Sequence, residues 1–281
     1  SIKIKKERLK NIKKFSNFKF FKIDLNNLIK LKKIFSKYKF TEVYNFAAQA
    51  GVRYSEINPS AYTKSNIEGF INLINLSKEN NVKKFFYASS SSVYGDNRNY
   101  PLKESEILFP KNFYGITKKL NEDFAKMYYE NYKFKSVGLR FFTVFGEWGR
   151  PDMFMIKYLN AVYNSKKFYL NNYGKHVRDF TYIEDVTDIL LKLRNKKIVK
   201  NDIYNICSNN PVGLIKIINY FQKISPKIKI KKRGFQKSDV YKTHGCNTKL
   251  ITITKRKKFT SIFLALKKTH DWFFKYKNLY R

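Results

Sequence analysis

Residues that build disulfide frameworks and metal centres are scarce in this sequence. Its 281 residues include two cysteines, Cys207 and Cys246, and three histidines. These are too few for a disulfide framework or a zinc site, and no cluster of metal-ligating residues stands out. Apolar runs stay well below the ~20 residues that span a bilayer, and no signal-like apolar core follows Ser1. We therefore expect a soluble, cytoplasmic protein without a metal ion.

Acidic residues are also scarce, since 21 Asp and Glu face 58 Lys and Arg, a formal net charge of +37. Such a balance is typical of proteins that bind nucleic acids or anionic membranes. A binder would gather its lysines on one face or tail, whereas here they occur throughout, with modest runs at 229–233 and 255–258. A bias toward residues with A/T-rich codons explains the same composition. We favour that bias, expect no membrane or nucleic-acid partner, and keep a basic nucleic-acid-binding protein as the alternative.

Helical and strand-like patterns alternate along the first half of the chain. Helices are predicted over residues 5–15, 27–37, 60–79 and 113–132, and strands over 19–23, 43–46, 84–88 and 136–142. This alternation predicts an α/β fold, a parallel sheet with helices on both faces, whose ligands bind at the carboxyl ends of the strands. The pattern loosens from Asp152 onward, as in a smaller second lobe.

A tyrosine and a lysine with catalytic potential follow the strand that ends in the serines 89–92. Tyr114 and Lys118 are four residues apart and therefore share one face of the predicted helix. A free phenol has a pKa near 10, and a nearby ammonium group lowers it. Tyr114 could then accept a proton from a substrate alcohol. The pairs Tyr129/Lys133 and Tyr163/Lys167 have the same spacing, which we attribute to composition.

Longer strings in the sequence resemble a known family. They are NFAAQAGVRYS (45–55), YASSSSVYG (87–95), LRFFTVFG (139–146), WGRPDM (148–153), NYGK (172–175) and RDFTYI (178–183). They are similar to the extended short-chain dehydrogenases/reductases, in particular to the NAD-dependent epimerases and dehydratases of nucleotide sugars. The resemblance covers essentially the whole chain, most firmly residues 40–190. The AQAGVRYS and GRPDM strings are similar to those of the enzymes that act on uronates.

The resemblance implies a Rossmann-type, doubly wound parallel sheet with a smaller C-terminal substrate lobe. Residues 1–150 would form the NAD-binding domain, and residues 151–281 mainly the nucleotide-sugar lobe, with segments that cross back. It implies an NAD-dependent enzyme that epimerises a UDP-sugar at C4 through a 4-keto intermediate, with UDP-glucuronate and UDP-galacturonate as the substrate pair. It also implies a homodimer that forms through helices 60–79 and 113–132.

The same resemblance assigns roles residue by residue. The implied catalytic residues are Tyr114, Lys118 and Ser90. The implied cofactor-binding residues are Asp24, Leu25, Ala47, Ala48 and Gln49, together with Tyr114 and Lys118. The implied substrate-binding residues are Ser91, Ser92, Thr143, Arg150, Arg178 and Asp239, with Arg178 at the diphosphate and Asp239 at the uridine ribose.

Several of these residues also have an ordinary structural explanation. Asp24 could cap a helix, and the serines 89–92 could cap a turn. Thr143 could be a hydrogen-bonded core hydroxyl, and Arg150 and Arg178 could be solvated surface charges. The resemblance favours the functional role in each case.

Two departures from the family pattern bear on activity. Lys237 and Ser238 stand where relatives usually have Pro-Gly, which weakens the expected uridine site, and Glu147 replaces a usual proline. A 4,6-dehydratase is disfavoured because its chemistry needs an acid pair at the positions of Ser91 and Ser92.

The glycine-rich turn that opens the family's fold is missing, and 11 glycines elsewhere do not show its spacing. We expect that about forty residues, the size of a βαβ unit, are lacking, as in a partial, decayed or split gene. The first two strands would then be missing, and the strand 43–46 would present an open apolar edge. The chain would bind NAD poorly and show little activity by itself.

Overall fold

The structure, a computed structural model, describes residues 2–235 and 240–280. Its strands, in chain order, are β1 (Glu42–Asn45), β2 (Lys84–Ser90), β3 (Ser136–Phe141), β4 (Thr143–Phe145), β5 (Phe168–Leu170), β6 (Val177–Tyr182), β7 (Asp202–Ile206), β8 (Pro211–Gly213) and β9 (Ile230–Lys232). A four-stranded parallel sheet has the order β1-β2-β3-β7, and smaller sheets have the orders β4-β6-β8 and β5-β9.

The helices surround these sheets. They are α1 (Ile2–Ile12), α2 (Leu28–Lys37), α3 (Val52–Ile57), α4 (Pro59–Tyr62), α5 (Gly69–Glu79), α6 (Phe113–Tyr132), α7 (Phe154–Tyr163), α8 (Ile183–Arg194), α9 (Leu214–Ile224), α10 (Thr248–Thr254) and α11 (Ile262–Tyr276). A π-helical turn (Thr63–Glu68) joins α4 to α5, and 3-10 turns follow β2 (Ser91–Tyr94), β5 (Asn171–Gly174) and α11 (Lys277–Tyr280). Within the described part of the chain, none of these helices is long and apolar enough to cross a bilayer.

The main sheet is covered on both faces because its strands alternate their side chains. In β2, Phe85 and Tyr87 belong to a buried cluster with α2, α5 and α6, while Phe86 belongs to a second cluster with α8 and α10. All three side chains are completely buried. A period of two residues sends successive side chains to opposite faces, so an apolar run becomes a strand buried on both sides.

Most of the predicted elements are present, but the strand predicted over 19–23 is wrong. Residues 18–24 form neither a helix nor a strand pairing with any other described residue. Phe20 and Phe21 remain 50% and 43% exposed. A strand is stable through hydrogen bonds to a neighbour, and this segment has none, so its β-like composition alone does not form one.

The open edge expected at 43–46 is observed. Strand β1 pairs with β2 on one side, and no other strand of the described chain lies along its outer edge. Tyr44 and Phe46 are about two-fifths exposed, at 38% and 42%. An unpaired strand with exposed aromatic side chains is a surface prone to association.

The second lobe has its own core, formed by α7, α9, α11 and the small sheets. Helix α1 contributes to this core, because Ile4 is 2% exposed and clusters with Phe273 and Tyr280. The first helix therefore packs with the end of the chain, a contact that the helical pattern alone did not predict. Strand β7 lies within the C-terminal half of the chain but pairs with β3 in the main sheet, as expected of a segment that crosses back. The domain boundary at residue 150 stays a prediction.

A buried ion pair joins the middle of the main sheet to α6. Arg140 on β3 donates to Glu122 on α6 through Nε at 2.9 Å and Nη2 at 2.7 Å. Both side chains are almost fully buried. Arg140 Nη1 also donates to the hydroxyl of Tyr94 at 2.8 Å, and that hydroxyl donates to Asn205 Oδ1 at 2.7 Å. One guanidinium group thus connects β3, β7, the 3-10 turn after β2 and helix α6.

We expect Arg140→Met to lower the free energy of unfolding by about 3–5 kcal/mol, because the Glu122 carboxylate would be buried without its counter-charge. Urea unfolding monitored by circular dichroism measures this difference. Lys126→Met is the matched control, since Lys126 pairs with Glu130 at 3.7 Å on the exposed face of α6. The control should change stability little, because exposed pairs contribute little. Equal effects of both variants would contradict the role of the buried pair.

Candidate active site

The carboxyl end of β2 presents the serine cluster. Ser90 is the last residue of the strand, and Ser91 begins the following 3-10 turn. Ser90 Oγ accepts a hydrogen bond from Ser92 N at 3.2 Å and also lies 3.2 Å from Ser92 Oγ. Turn capping is therefore confirmed for Ser90, and the same position places its hydroxyl at the edge of the sheet where ligands bind.

The first turn of α6 is held by side chains on two sides. Asn112 caps the helix, and its Oδ1 accepts from Gly115 N at 2.8 Å. Tyr114 N donates to Ser55 Oγ of α3 at 3.1 Å. Amide groups at a helix start lack partners within the helix, so these acceptors fix both its position and its direction. Ser55 was not among the predicted site residues, although it lies in the AQAGVRYS string.

Gly115 lets α6 approach the serine turn closely. A Cβ atom at this position would lie 2.7 Å from Ser92 O and 3.0 Å from Pro110 Cβ. Such distances are shorter than real side-chain contacts, so a larger residue would push the helix away. The close approach brings the Ser90 hydroxyl near enough to the Tyr114 phenol to lower its pKa.

Lys118 follows one helical turn later and points back to the strand. Its Nζ donates to Ala88 O of β2 at 2.9 Å and lies 6.0 Å from the centre of the Tyr114 ring. The side chain is 3% exposed. An ammonium group has three donors, so Lys118 can bind a ligand while it keeps its contact to the strand.

The electrostatics of this pair differ from the sequence-based expectation. Burial raises the pKa of Tyr114, and the nearby Ser90 hydroxyl and Arg150 charge lower it only in part. Burial also lowers the pKa of Lys118 to about 8. The pKa of Tyr114 is thus raised, although a lower value was expected from the neighbouring Lys118, because desolvation dominates for both groups.

The loop after β1 provides the predicted cofactor side of the cleft. Ala47 is exposed and Ala48 is half-buried, so small side chains leave the carboxyl end of β1 open. Gln49 is held through its backbone, since its N–H donates to Asn66 Oδ1 at 2.8 Å and its carbonyl accepts from Asn66 Nδ2 at 3.0 Å. An amide side chain that pairs with both backbone groups of one residue fixes the path of the loop.

Asn66 reaches this position from the π-helical turn, where a continuous helix had been predicted. Its Nδ2 also donates to Thr117 Oγ1 at 3.0 Å, and its backbone carbonyl accepts from Asn121 Nδ2 at 2.7 Å. A π-turn interrupts the regular helical hydrogen bonds and frees such a carbonyl. This buried network joins the loop after β1 to α6 at Thr117 and Asn121, on the two sides of Lys118. No pattern in the sequence predicted it.

The predicted adenine-side residues precede α2. Asp24 is exposed, and its Oδ1 accepts from Asn26 N at 2.9 Å in a local turn. The helix cap is Asn27, so the alternative that Asp24 caps this helix is wrong. Leu25 is half-buried, and its carbonyl accepts from Asn72 Nδ2 at 3.0 Å. The pair is thus presented on a turn that α5 holds in place.

Two further predicted substrate residues come from β4 and from the loop that follows it. Thr143 begins β4 and is half-buried. Arg150 donates to both carboxylate oxygens of Asp152, at 3.0 and 2.6 Å. Its charge acts on Tyr114, so Arg150 lies at the cleft and is more than a solvated surface charge.

Arg178 lies on β6 and binds the backbone of the segment that begins at residue 240. Its Nη1 donates to Val177 O and Tyr241 O, both at 2.9 Å, and its Nη2 donates to Val240 O at 2.6 Å. Asp239, the predicted uridine-ribose ligand, lies outside the described residues. Arg178 therefore positions Val240 and Tyr241, which directly follow the predicted ribose ligand in the sequence.

Asp179, the neighbour of Arg178, is a buried carboxylate that the sequence analysis did not single out. It accepts from Ser208 N at 3.0 Å, Ser208 Oγ at 2.9 Å and Gly245 N at 3.1 Å. Burial raises its pKa to about 6, although these hydrogen bonds act in the opposite direction. It joins β6 to two later loops, and the RDFTYI string was the only signal for it.

Comparison with known proteins adds an independent line of evidence. A family model described as "NAD dependent epimerase/dehydratase family" matches residues 3–207. Protein CapI of Staphylococcus aureus is 37% identical over 98% of this chain and 88% of its own length. The UDP-glucuronate 4-epimerase of Thermodesulfobacterium geofontis is 34% identical over 96% of this chain and 84% of its own length.

A solved structure is similar over nearly the whole chain. It is the crystal structure of UDP-glucuronic acid 4-epimerase from Bacillus cereus in complex with UDP-glucuronic acid and NAD. The TM-score is 0.91 at 26% sequence identity, and the match covers 97% of this chain and 87% of that one.

We expect Gly115→Ala to destabilise the protein by about 1–3 kcal/mol, because the new methyl group would overlap Ser92 O and outweigh the higher helix propensity of alanine. Chemical unfolding measures the change. Gly213→Ala is the matched control, since a Cβ there meets nothing within 4 Å and its φ of −71° suits any residue. If the two variants lost similar stability, crowding at α6 would not be the cause.

Asp179 should make stability depend on pH. Its pKa is about 6 in the fold against an ordinary 3.8, so the folded state holds a proton that the unfolded state releases. Stability then falls as pH rises from about 4 to above 6, by up to about 3 kcal/mol at 1.36 kcal/mol per pKa unit. Asp179→Asn should lack this component when both proteins are unfolded in urea between pH 4 and pH 7. Parallel pH profiles would refute the assignment.

Proposed function

Because the chain belongs to the NAD-dependent epimerase/dehydratase family, we propose that it epimerises a UDP-sugar at C4, with UDP-glucuronate and UDP-galacturonate as the substrate pair. The family match and the similar solved structure confirm the predicted family, the Rossmann-type fold and NAD as the cofactor. The observation that carries the proposal is the meeting of Ser90, Tyr114 and Lys118 at the carboxyl end of β2.

The residues around the carboxyl end of β1 suit an NAD cofactor. The small side chains of Ala47 and Ala48 leave space above β1, and Lys118 offers donors at the base of the cleft. Asp24 and Leu25 would meet the adenine end. When bound, NAD would supply the acceptor and donor of hydride at the sugar carbon.

The proton chemistry belongs to this chain's own side chains. Ser90 and Tyr114, whose polar groups lie close enough to influence each other, would both contact the sugar 4-hydroxyl. Tyr114 would accept the hydroxyl proton and later return it, while Ser90 keeps the oxygen in place. Because burial raises the pKa of Tyr114, the phenolate needs a cation in the occupied site, and Arg150 is placed to provide it.

The preference for a uronate rests on the groups around the far side of the cleft. Ser91, Ser92 and Thr143 present hydroxyls, and Arg150 adds a positive charge next to Tyr114. Hydroxyl donors with a guanidinium group suit a carboxylate. Arg178 would bind the diphosphate, which is a second anionic group of the substrate.

The remaining expectations stay predictions. They are the homodimer through helices 60–79 and 113–132, which correspond to α4–α5 and α6, and the cytoplasmic location.

Replacing Tyr114 by Phe tests the proposal, since it removes the proton acceptor and keeps the ring. We expect conversion of UDP-glucuronate to UDP-galacturonate by the full-length protein, resolved by chromatography, to fall at least ~100-fold. Tyr129→Phe is the matched control, because Tyr129 has the same spacing to Lys133 and their side chains interact at 5.8 Å. The control should retain full activity. An unchanged rate in Tyr114→Phe would reject the assignment.

A further inference from the structure

The loop that carries Arg150 is unusually constrained. Residues 146–152, here called the Arg150 loop, lie between β4 and α7. Gly146 has φ of 137°, and a Cβ there would lie 2.4 Å from Ile183 Cγ2, so glycine is required. Trp148 has φ of 58°, a left-handed conformation that is rare for a large side chain. Surrounding contacts must hold such a backbone in place.

Two residues from distant parts of the chain hold the carbonyl groups of this loop. Arg8 of α1 donates through Nη2 to Trp148 O. Tyr280, in the 3-10 turn after α11, donates through its hydroxyl to Gly149 O at 2.7 Å. These are the two carbonyls that directly precede Arg150. The loop is therefore bound by side chains 140 and 131 residues away in sequence.

Both donors are fixed by the core of the second lobe. Ile4, one helical turn before Arg8, is 2% exposed, and Tyr280 is 7% exposed in the same cluster. The Trp148 indole packs against Trp272 and Tyr276, with ring centres 5.1 and 5.6 Å apart. The donors thus belong to a packed platform, so the carbonyl contacts transmit its position to the loop.

At its other end the loop brings Arg150 to the cleft. Arg150 is paired with Asp152 and reaches the loop after β1, where a Cβ on Gly51 would lie 3.9 Å from its Nη2. Tyr62, whose hydroxyl donates to Gly51 O at 2.6 Å, and Tyr114 are its aromatic neighbours, with ring centres 6.3 Å apart. A small shift of the loop would move the guanidinium group relative to any sugar at Tyr114.

We propose that Arg8 and Tyr280 are positioning residues, which hold the carbonyls of Trp148 and Gly149 and so fix the Arg150 guanidinium over the cleft. This inference rests on the proposed function, because Arg150 is taken to contact the anionic substrate. Neither Arg8 nor Tyr280 touches the substrate; each acts through Arg150.

Substrate binding in a double-mutant cycle tests this coupling. Calorimetric titration of the full-length protein with UDP-glucuronate should show a dissociation constant about 5- to 10-fold higher in Arg8→Met, as expected for one lost hydrogen bond. Tyr280→Phe should act in the same direction, and Arg8→Lys should recover part of the loss. In an Arg150→Ala background, Arg8→Met should have no further effect. An undiminished effect in that background would overturn the proposal.

Hydrogen exchange gives a readout that needs no substrate. Amides of residues 147–150 and 152, and the Met153 amide that donates to Arg150 O at 3.1 Å, should exchange faster in Arg8→Met and in Tyr280→Phe than in the parent. The matched controls are Lys10→Met, an exposed cation of the same helix, and Tyr276→Phe, which keeps its ring against Trp148. Both controls should preserve protection.

The two readouts separate the proposals. If the parent failed to bind UDP-glucuronate, the proposed substrate would be wrong, and the exchange rates alone would decide whether Arg8 and Tyr280 hold the loop. Unchanged exchange in both variants would overturn the inference whatever the substrate.

Discussion

The buried pair of Arg140 and Glu122 is the interaction on which the geometry of the site depends. Glu122 lies on α6 in register with Tyr114 and Lys118, since the three are spaced by four residues and share one face of the helix. The pair therefore sets the height and rotation of α6 against β2 and β3. Its cost of desolvation is offset by two direct hydrogen bonds and by further partners of each group. Arg140 also donates to Tyr94 and to Glu104 O, and Glu122 also accepts from Ser89 Oγ at 2.5 Å.

Local electrostatics, more than the net charge, decide the chemistry of the cleft. The chain carries a formal charge of +37, yet the pKa of Tyr114 is raised because the ring is desolvated. Exposed lysines are screened by salt within about 10 Å, whereas a partly buried guanidinium group next to the phenol acts at short range. The position of Arg150 consequently matters more for the pKa of Tyr114 than the many surface cations.

Much of the site was predictable because its residues follow local patterns. The strand with Ser90 at its end and the helix with Tyr114 and Lys118 obey periods that a sequence displays directly. The buried amides of Asn66 and Asn121 were not predictable, since they act through partners about 50 residues away. The strand prediction for residues 19–23 failed for the opposite reason. The segment has the composition of a strand, but a strand needs a neighbouring strand to pair with, and composition does not reveal one.

By itself, the sequence determined which groups share a helix face and which hydroxyls end a strand, because the periods of helix and strand convert spacing into direction. It also determined the family through strings that are long enough to be specific. Only the tertiary structure decided that desolvation governs Tyr114, that Asp179 is a buried carboxylate, and that Arg8 and Tyr280 reach the Arg150 loop. These properties depend on packing between segments far apart in the chain, and no local pattern encodes which distant side chain will be the neighbour.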